Sequence, residues 1–447
     1  MKQKMDSSLV NETSYLIVDK ELRDNGVHRN PSRERKLFLL VSCIIQQLIF
    51  AGIGYGLSVM YAELIIVFEA KRSETALIQS IFMAIATGGG ILFTGVITKI
   101  GPGNSMIIGG TVGCIGLFLS SFSKGLTAII LCTGVLSALG MCMCYLAAFI
   151  AVSRMFHENA GPYLVILSLG SSIGQFVVPM FYEMFIEQYT WSGAFILMSG
   201  IALQNVPFGV IVHYSKRFYK SNEETGKSTV ATLCDFSVLK DWLMWVVYIN
   251  FHLLALTGNF EAWFLVDFAI SRGFSRESGS LLITALGFAN VVGRIFGGFV
   301  RFKCTNMPSL NHWIYLSPLL AIGHVLVVNV NDYWGLFAVC ILYGFPFGAM
   351  AAQPAAIMLE VTSLKKYPQA MAIANLSFGL ANLISGQLGG YIKDTLGDYV
   401  LAFYIAAGVS IYISLTTGVV ALVIKKRKER HRRMMHGQTN VPYEKLK

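Results

Sequence analysis

SKRFYKSNEETGKSTVATLCDFSVLKD, residues 215–241, is much the longest polar connection in a chain that is otherwise apolar. On both sides of it lie stretches long enough to cross a bilayer. A hydrocarbon core about 30 Å thick takes about 20 helical residues at about 1.5 Å of rise each. Six such stretches precede it, at residues 37–68, 74–98, 105–122, 126–153, 162–186 and 191–213. Six follow, at 242–269, 279–300, 312–330, 334–361, 368–392 and 399–424. The expected fold is all-α and integral to the membrane, twelve transmembrane helices in two six-helix bundles. The chain divides into an N-terminal tail (1–36), a first bundle (37–213), a central loop (214–241), a second bundle (242–424) and a basic tail (425–447).

Composition agrees. Of 447 residues 54% are hydrophobic and 13% charged, where a soluble domain carries roughly 25% charged residues. The mean hydropathy is +0.59. A net charge of +10 would suggest nucleic acid if the cations clustered on a soluble face, but they lie almost entirely between apolar stretches. Sorted by alternating topology, 28 of the 35 Lys and Arg fall on the side of the tails and central loop, 6 on the other, and one inside a helix. Basic loops stay in the cytosol, so both termini are expected there. The run KKRKERHRR, Lys425–Arg433, follows the last stretch directly. Such a cluster attracts anionic lipid by about 1 kcal/mol per charge, which makes the bilayer the expected partner and not nucleic acid.

The first 36 residues lack the apolar core of a cleaved signal peptide and are expected to remain attached. The eight Cys form no CxxC pair and no outward-facing set, so neither a disulfide framework nor a zinc site is implied. No phosphate-cradling loop, catalytic triad or metal-ligand cluster is found. The expectation is a non-enzyme without cofactors that does not itself hydrolyse ATP. The glycosylation patterns at Asn11 and Asn375 read as chance, one in the cytosol and one within a helix.

The halves carry a trace of a repeat. A shift of 204 residues lays Arg72, Leu77, Gly89, Ile91, Val96 and Lys99 onto Arg276, Leu281, Gly293, Ile295, Val300 and Lys303, pairing the second stretch with the eighth. Substrate is then expected near the midplane between parallel halves. Gly109/Gly113, Gly170/Gly174, Gly293/Gly297 and Gly344/Gly348 have the spacing that lets membrane helices pack closely.

Arg294 is the cation inside a helix, in GFANVVGRIFGG, residues 287–298. A guanidinium there needs an anion or water. Snorkelling to the interface would also serve it. Asn290, one turn earlier, shares its face with Gly287 and Gly297, a polar strip suited to a pathway. Two parallel hydrogen bonds to a carboxylate make a small organic anion the expected substrate. Glu261, beside Gly258 and Asn259 in the seventh stretch, is a candidate proton-coupling residue, or a carboxylate hydrated near the outer surface. His252 and His324 read as hydrogen-bonded packing residues.

Several segments resemble the monocarboxylate transporter family of the major facilitator superfamily, from about residue 40 to 424. They are FEAKRSETALIQSI (68–81), VSRMFHENAGPYLVILSLGSSIGQFVVP (152–179), TWSGAF (190–195) and GGYIKDTLGDYVLAFYIAAG (389–408), with Asp394, Gly397, Tyr399, Phe403 and Gly408 in place. The resemblance implies a major facilitator fold and a plasma-membrane secondary carrier of monocarboxylates working by alternating access. It matches Arg294 to the family's substrate-binding arginine and Phe347, in YGFPFGAM, to an aromatic residue shaping the pocket. With Asn290, Tyr55 and Val59 these make the expected substrate-binding set.

Departures narrow the expectation. Val59 stands where proton-coupled lactate carriers have Lys, and Asn290 where they have Asp, so transport is expected to be facilitated and weakly pH-dependent. His157, Glu158 and Asn159 replace the usual basic residues after SRxF, and TKIGPGNS (98–105) is a degraded basic loop motif. Some relatives without the lysine carry aromatic amino acids or iodinated hormones, and a non-transporting ligand sensor of the same fold is a further alternative. A single-span accessory glycoprotein is a partner that the resemblance admits.

Overall fold

The computed structural model describes residues 32–156, 160–215, 240–303, 308–362 and 367–439. Most of the N-terminal tail and central loop, with His157, Glu158 and Asn159, lie outside them. Helix α1 runs Arg33–Phe68, with the Ser32 hydroxyl accepting the Arg35 N–H at its start. Helix α2 runs Arg72–Gly88 and, past an interruption at Gly89, Gly90–Ile100. Then come α3, Pro102–Ser120, and α4, Leu126–Phe156, with a π-helical stretch at Ile130–Ser137. Helices α5 (160–189) and α6 (191–214) fold apart at Thr190, whose φ of 63° and ψ of 175° are non-helical.

In the second half α7 is broken, Trp242–Gly258 and Phe260–Ser271, with Asn259 between. Next are α8 (Arg276–Lys303), α9 (Ser309–Asn329) and α10, which runs Tyr333–Ala351 and resumes as Pro354–Val361. Helix α11 is Tyr367–Leu396, and α12, Val400–Thr439, continues well past the expected membrane boundary through its basic residues.

Among the described residues nine helices are long and apolar enough to cross a membrane, and one of these, Ile166–Tyr214, is the folded pair α5–α6. Helices α2 and α11 complete the twelve passes expected. They fall short of that measure for physical reasons: α2 is interrupted, and α11 carries Gln, Asn and Ser, several of them on the face turned to protein. Outward apolar side chains such as Leu415 (67% exposed) and Leu422 (62%) are what lipid demands.

The two bundles meet along α2 against α11 and α5 against α8. Glycine makes both approaches close. A Cβ on Gly379 would lie 2.7 Å from the Ala84 carbonyl oxygen, and one on Gly287 2.7 Å from the Phe176 nitrogen. Within each bundle the four spaced glycine pairs serve packing as expected; Gly348 and Gly293, for example, hold α8 and α10 backbone to backbone.

Candidate functional site

Arg294 and Asn290 stand one turn apart on α8, so their side chains share a face. The Arg294 Nε donates to Asn290 Oδ1 at 3.0 Å, and its Nη1 donates to the Ser168 carbonyl oxygen at 3.3 Å. The Ser172 hydroxyl donates to the same Asn290 oxygen at 2.7 Å. Ser168 and Ser172 are themselves one turn apart on α5. The guanidinium thus turns inward and ties the bundles together. Asn290 is buried, and its Nδ2 has no protein acceptor. Among the described residues no carboxylate pairs with Arg294. All its acceptors are uncharged, so its charge is uncompensated in a poorly polarisable setting.

Tyr55 on α1 and Tyr145 on α4 lie close enough for the Arg294 charge to bear on their phenols. Phe50 packs on Tyr145, ring centroids 4.6 Å apart. Tyr55 also donates to Asn259 Oδ1 at 2.9 Å, and Asn259 Nδ2 donates to Asn382 Oδ1 on α11 at 2.9 Å. That chain is available because α7 breaks at Gly258–Asn259. The Tyr343 hydroxyl donates to the Gly258 carbonyl oxygen at 2.5 Å, taking an acceptor that the break leaves free. Phe347 packs against Gly258, where a Cβ would come within 2.6 Å of its ring.

Residues 43–311 match the family model of the Major Facilitator Superfamily. The chain belongs to the major facilitator superfamily. It is similar to monocarboxylate transporter 6 of Mus musculus, 24% identical over 409 residues, 87% of each chain. It is likewise similar to monocarboxylate transporter 4 of Gallus gallus, 26% identical over 84% of this chain and 80% of the relative. Monocarboxylate transporter 12 of Homo sapiens is 24% identical over 87% and 81%. These relatives are of the family that the motifs resemble. Two solved structures share the fold at 12% identity. A bacterial homologue of the human lysosomal transporter Spinster, inward-facing and unoccupied, covers 88% of this chain and 97% of its own at a TM-score of 0.64. A peptide transporter, POT, in complex with sulfate covers 87% and 94% at 0.69. This protein is thus a multi-pass membrane carrier of that superfamily.

In this major facilitator protein Arg294, Asn290 and Tyr55 converge at the bundle interface. Phe347 stands behind the α7 break and meets that group through Gly258 and Asn259. Val59 is fully buried one turn from Tyr55. Among the described residues Glu261 makes no pair with Arg294. It is 1% exposed and touches Nδ1 of His324, itself fully buried, within the second bundle. His252 Nδ1 lies 3.0 Å from the Ser377 carbonyl oxygen, joining α7 to α11.

Ser168, Ser172, Tyr145 and Asn382 belong to the site without having been singled out as its members. The two serines sit at helical spacing in SLGSS among glycines, a readable polar stripe. Tyr145 and Asn382 carry no local sign, because their relevance arises from residues more than a hundred positions away.

Proposed function

We propose that this carrier moves a monocarboxylate or a related small organic anion across the plasma membrane by alternating access, with the termini in the cytosol. The observation that supports this most is the Arg294 guanidinium, held between bundles by neutral acceptors alone. A carboxylate can take the place of the Ser168 carbonyl and accept two parallel hydrogen bonds from the fork. Asn290 Nδ2, without a protein acceptor, offers a further donor beside it. Because Arg294 and Asn290 belong to one bundle and their partners Ser168 and Ser172 to the other, an anion there is gripped by both and is released as they rock.

Val59 and Asn290 bind no proton, so the anion is expected to move down its own gradient with weak dependence on pH. Tyr55 and Tyr145 beside the cation favour a second reading on substrate size, an aromatic carboxylate laid against a phenol ring. An accessory single-span glycoprotein at the cell surface fits this reading but nothing in it requires one.

The test is uptake in oocytes of lactate, pyruvate, ketone bodies, aromatic amino acids and other carboxylates at two external pH values. Charged hydrogen bonds contribute about 1.5–3 kcal/mol, and 1.4 kcal/mol is tenfold. Arg294→Ala is expected to lower uptake at least about tenfold at equal surface level, and Arg294→Lys to lose most of it for want of the planar fork. Unchanged uptake in Arg294→Ala would remove the anion site. Tight binding without flux or exchange would make the protein a sensor.

A further inference from the structure

Two arginines outside the Arg294 site each reach from one bundle into the other. Arg72, at the start of α2, holds Asp267 of α7 through two bonds, Nε to Oδ2 at 2.8 Å and Nη2 to Oδ1 at 3.2 Å. Arg276, at the start of α8, holds Glu183 of α5, Nε to Oε1 at 2.9 Å, and also Glu63 of α1. The carboxylates are largely buried, Asp267 at 6%, Glu183 at 11% and Glu63 at 18% exposure, so salt screens them little.

These pairs are images of one another. Arg72 precedes Arg276 by 204 residues, and Glu63 precedes Asp267 by the same 204. The interval is the one separating Tyr55 from Asn259, which bond across the bundle boundary. Arg72–Asp267 and Arg276–Glu63 are therefore one contact made twice, once in each direction across the pseudo-twofold axis.

The first arm is reinforced. The Tyr399 hydroxyl donates to Asp267 at 2.6 Å. Helix α2 has no side-chain cap of its own, and Asp394 of the second bundle supplies one, accepting from the Ser73 N–H at 2.9 Å and the Ser73 hydroxyl at 2.7 Å. Beside Asp267, Tyr61 packs edge-on against Phe264 and Phe264 against Tyr399, a layer of rings between the ion pairs and the Tyr55–Asn259 bond. All of this lies at the face opposite the chain termini. At the terminal face one ion pair, Arg427–Asp241, stays inside one bundle.

We propose that Arg72 and Arg276 form a paired latch closing the central path at the face away from the termini, and that breaking both arms admits substrate from that face. Both arms lie at one end of the same pseudo-twofold axis, so a rocking motion that parts the bundles there stretches both together. The latch requires only the two-bundle fold, and its test involves no substrate, which keeps it separate from the fate of the anion reading.

Val59, between the ring layer and Tyr55 on α1, is a reporter of opening. Val59→Cys in the full chain on intact cells is labelled with a membrane-impermeant maleimide, against the protein with native cysteines alone. Arg72→Asp and Asp267→Arg are each expected to raise the labelling rate about tenfold, and the two combined to return it within about twofold. Arg276→Gln is expected to raise it about fivefold, and Arg72→Gln with Arg276→Gln more than either alone. Labelling is counted on surface protein that purifies as a monodisperse species. The Gln variants, which remove charge without reversing it, decide the matter if a reversal fails to reach the surface. Labelling rates within twofold of the parent in the double Gln variant, or failure of the swap to restore the parent rate, would overturn the latch.

Discussion

Tyr55 donates a hydrogen bond to Asn259 from the equivalent position, 204 residues away, in the other half of the chain. A bond between two images of one site lies at the pseudo-twofold axis, and this one lies inward of the ring layer and the ion pairs, nearer the depth about which the bundles rock. It is placed to serve as a pivot, and its acceptor residue is anchored a second time by Asn382.

Tyr55→Phe removes the pivot's donor and keeps the ring beside Arg294. A neutral hydrogen bond is worth about 1 kcal/mol net. Transport is expected to fall about fivefold in maximal rate with substrate affinity nearly unchanged, read from initial uptake rates over a concentration series. A loss confined to affinity would place Tyr55 among the binding groups alone.

Asn290→Asp puts an acid beside Arg294. The ionised carboxylate would occupy the guanidinium and compete with substrate. Uptake of the best substrate is expected to fall several-fold, and to fall less in Asn290→Ser, which brings no charge. Initial uptake rates of the two variants at equal surface level check this, and an equal loss in both would count against Arg294 as the substrate's partner.

Glu261 and His324 form a buried pair whose members lean on each other. Removing one partner of such a pair strands the other at a cost of about 3–5 kcal/mol. His324→Leu is expected to lower the thermal midpoint of the detergent-solubilised protein markedly, Glu261→Gln less so, and Glu261→Gln with His324→Leu to regain part of the loss. Equal midpoints in all three would show the pair to be unimportant to stability.

Asp241 accepts from Arg427 at 2.8 Å and caps α7 through the Leu243 N–H at 3.1 Å. The Arg427 hydrogen bond, against the opposing effect of burial and with help from the Leu243 N–H, holds its carboxyl below the usual aspartate range. A lowered native value means that the stabilisation is fully present above the unfolded aspartate range and fades as pH falls through the native value. Both groups are exposed by a third or more, so the pair is worth at most about 1 kcal/mol. Asp241→Asn keeps the cap and loses only the charge. Its small loss of stability is expected at pH 7 and absent in strong acid, as unfolding at the two pH values would measure.

Much of the fold could be read from hydropathy alone. Whether a segment crosses a membrane is a nearly additive, local property, which is why the long polar connection at 215–241 and the apolar stretches around it announce two sets of six helices. The exceptions are instructive. Helices α2 and α11 are the least obviously membranous, because each turns one face, at Gly88 and Gly379, to the other across the bundle boundary.

Arg294 was conspicuous for the same local reason, a cation where none is cheap, and Asn290 followed from helical spacing. The sequence by itself thus determined the membrane class, the number of passes and the one charged residue most in need of a partner. The tertiary structure decided the partners: that Arg294 meets Ser168, that Glu261 meets His324, and that Arg72 and Arg276 cross to opposite bundles. Such pairings join residues that are far apart in the chain. A side chain's charge is written in its own position, but the field it feels is set by which helix packs beside it.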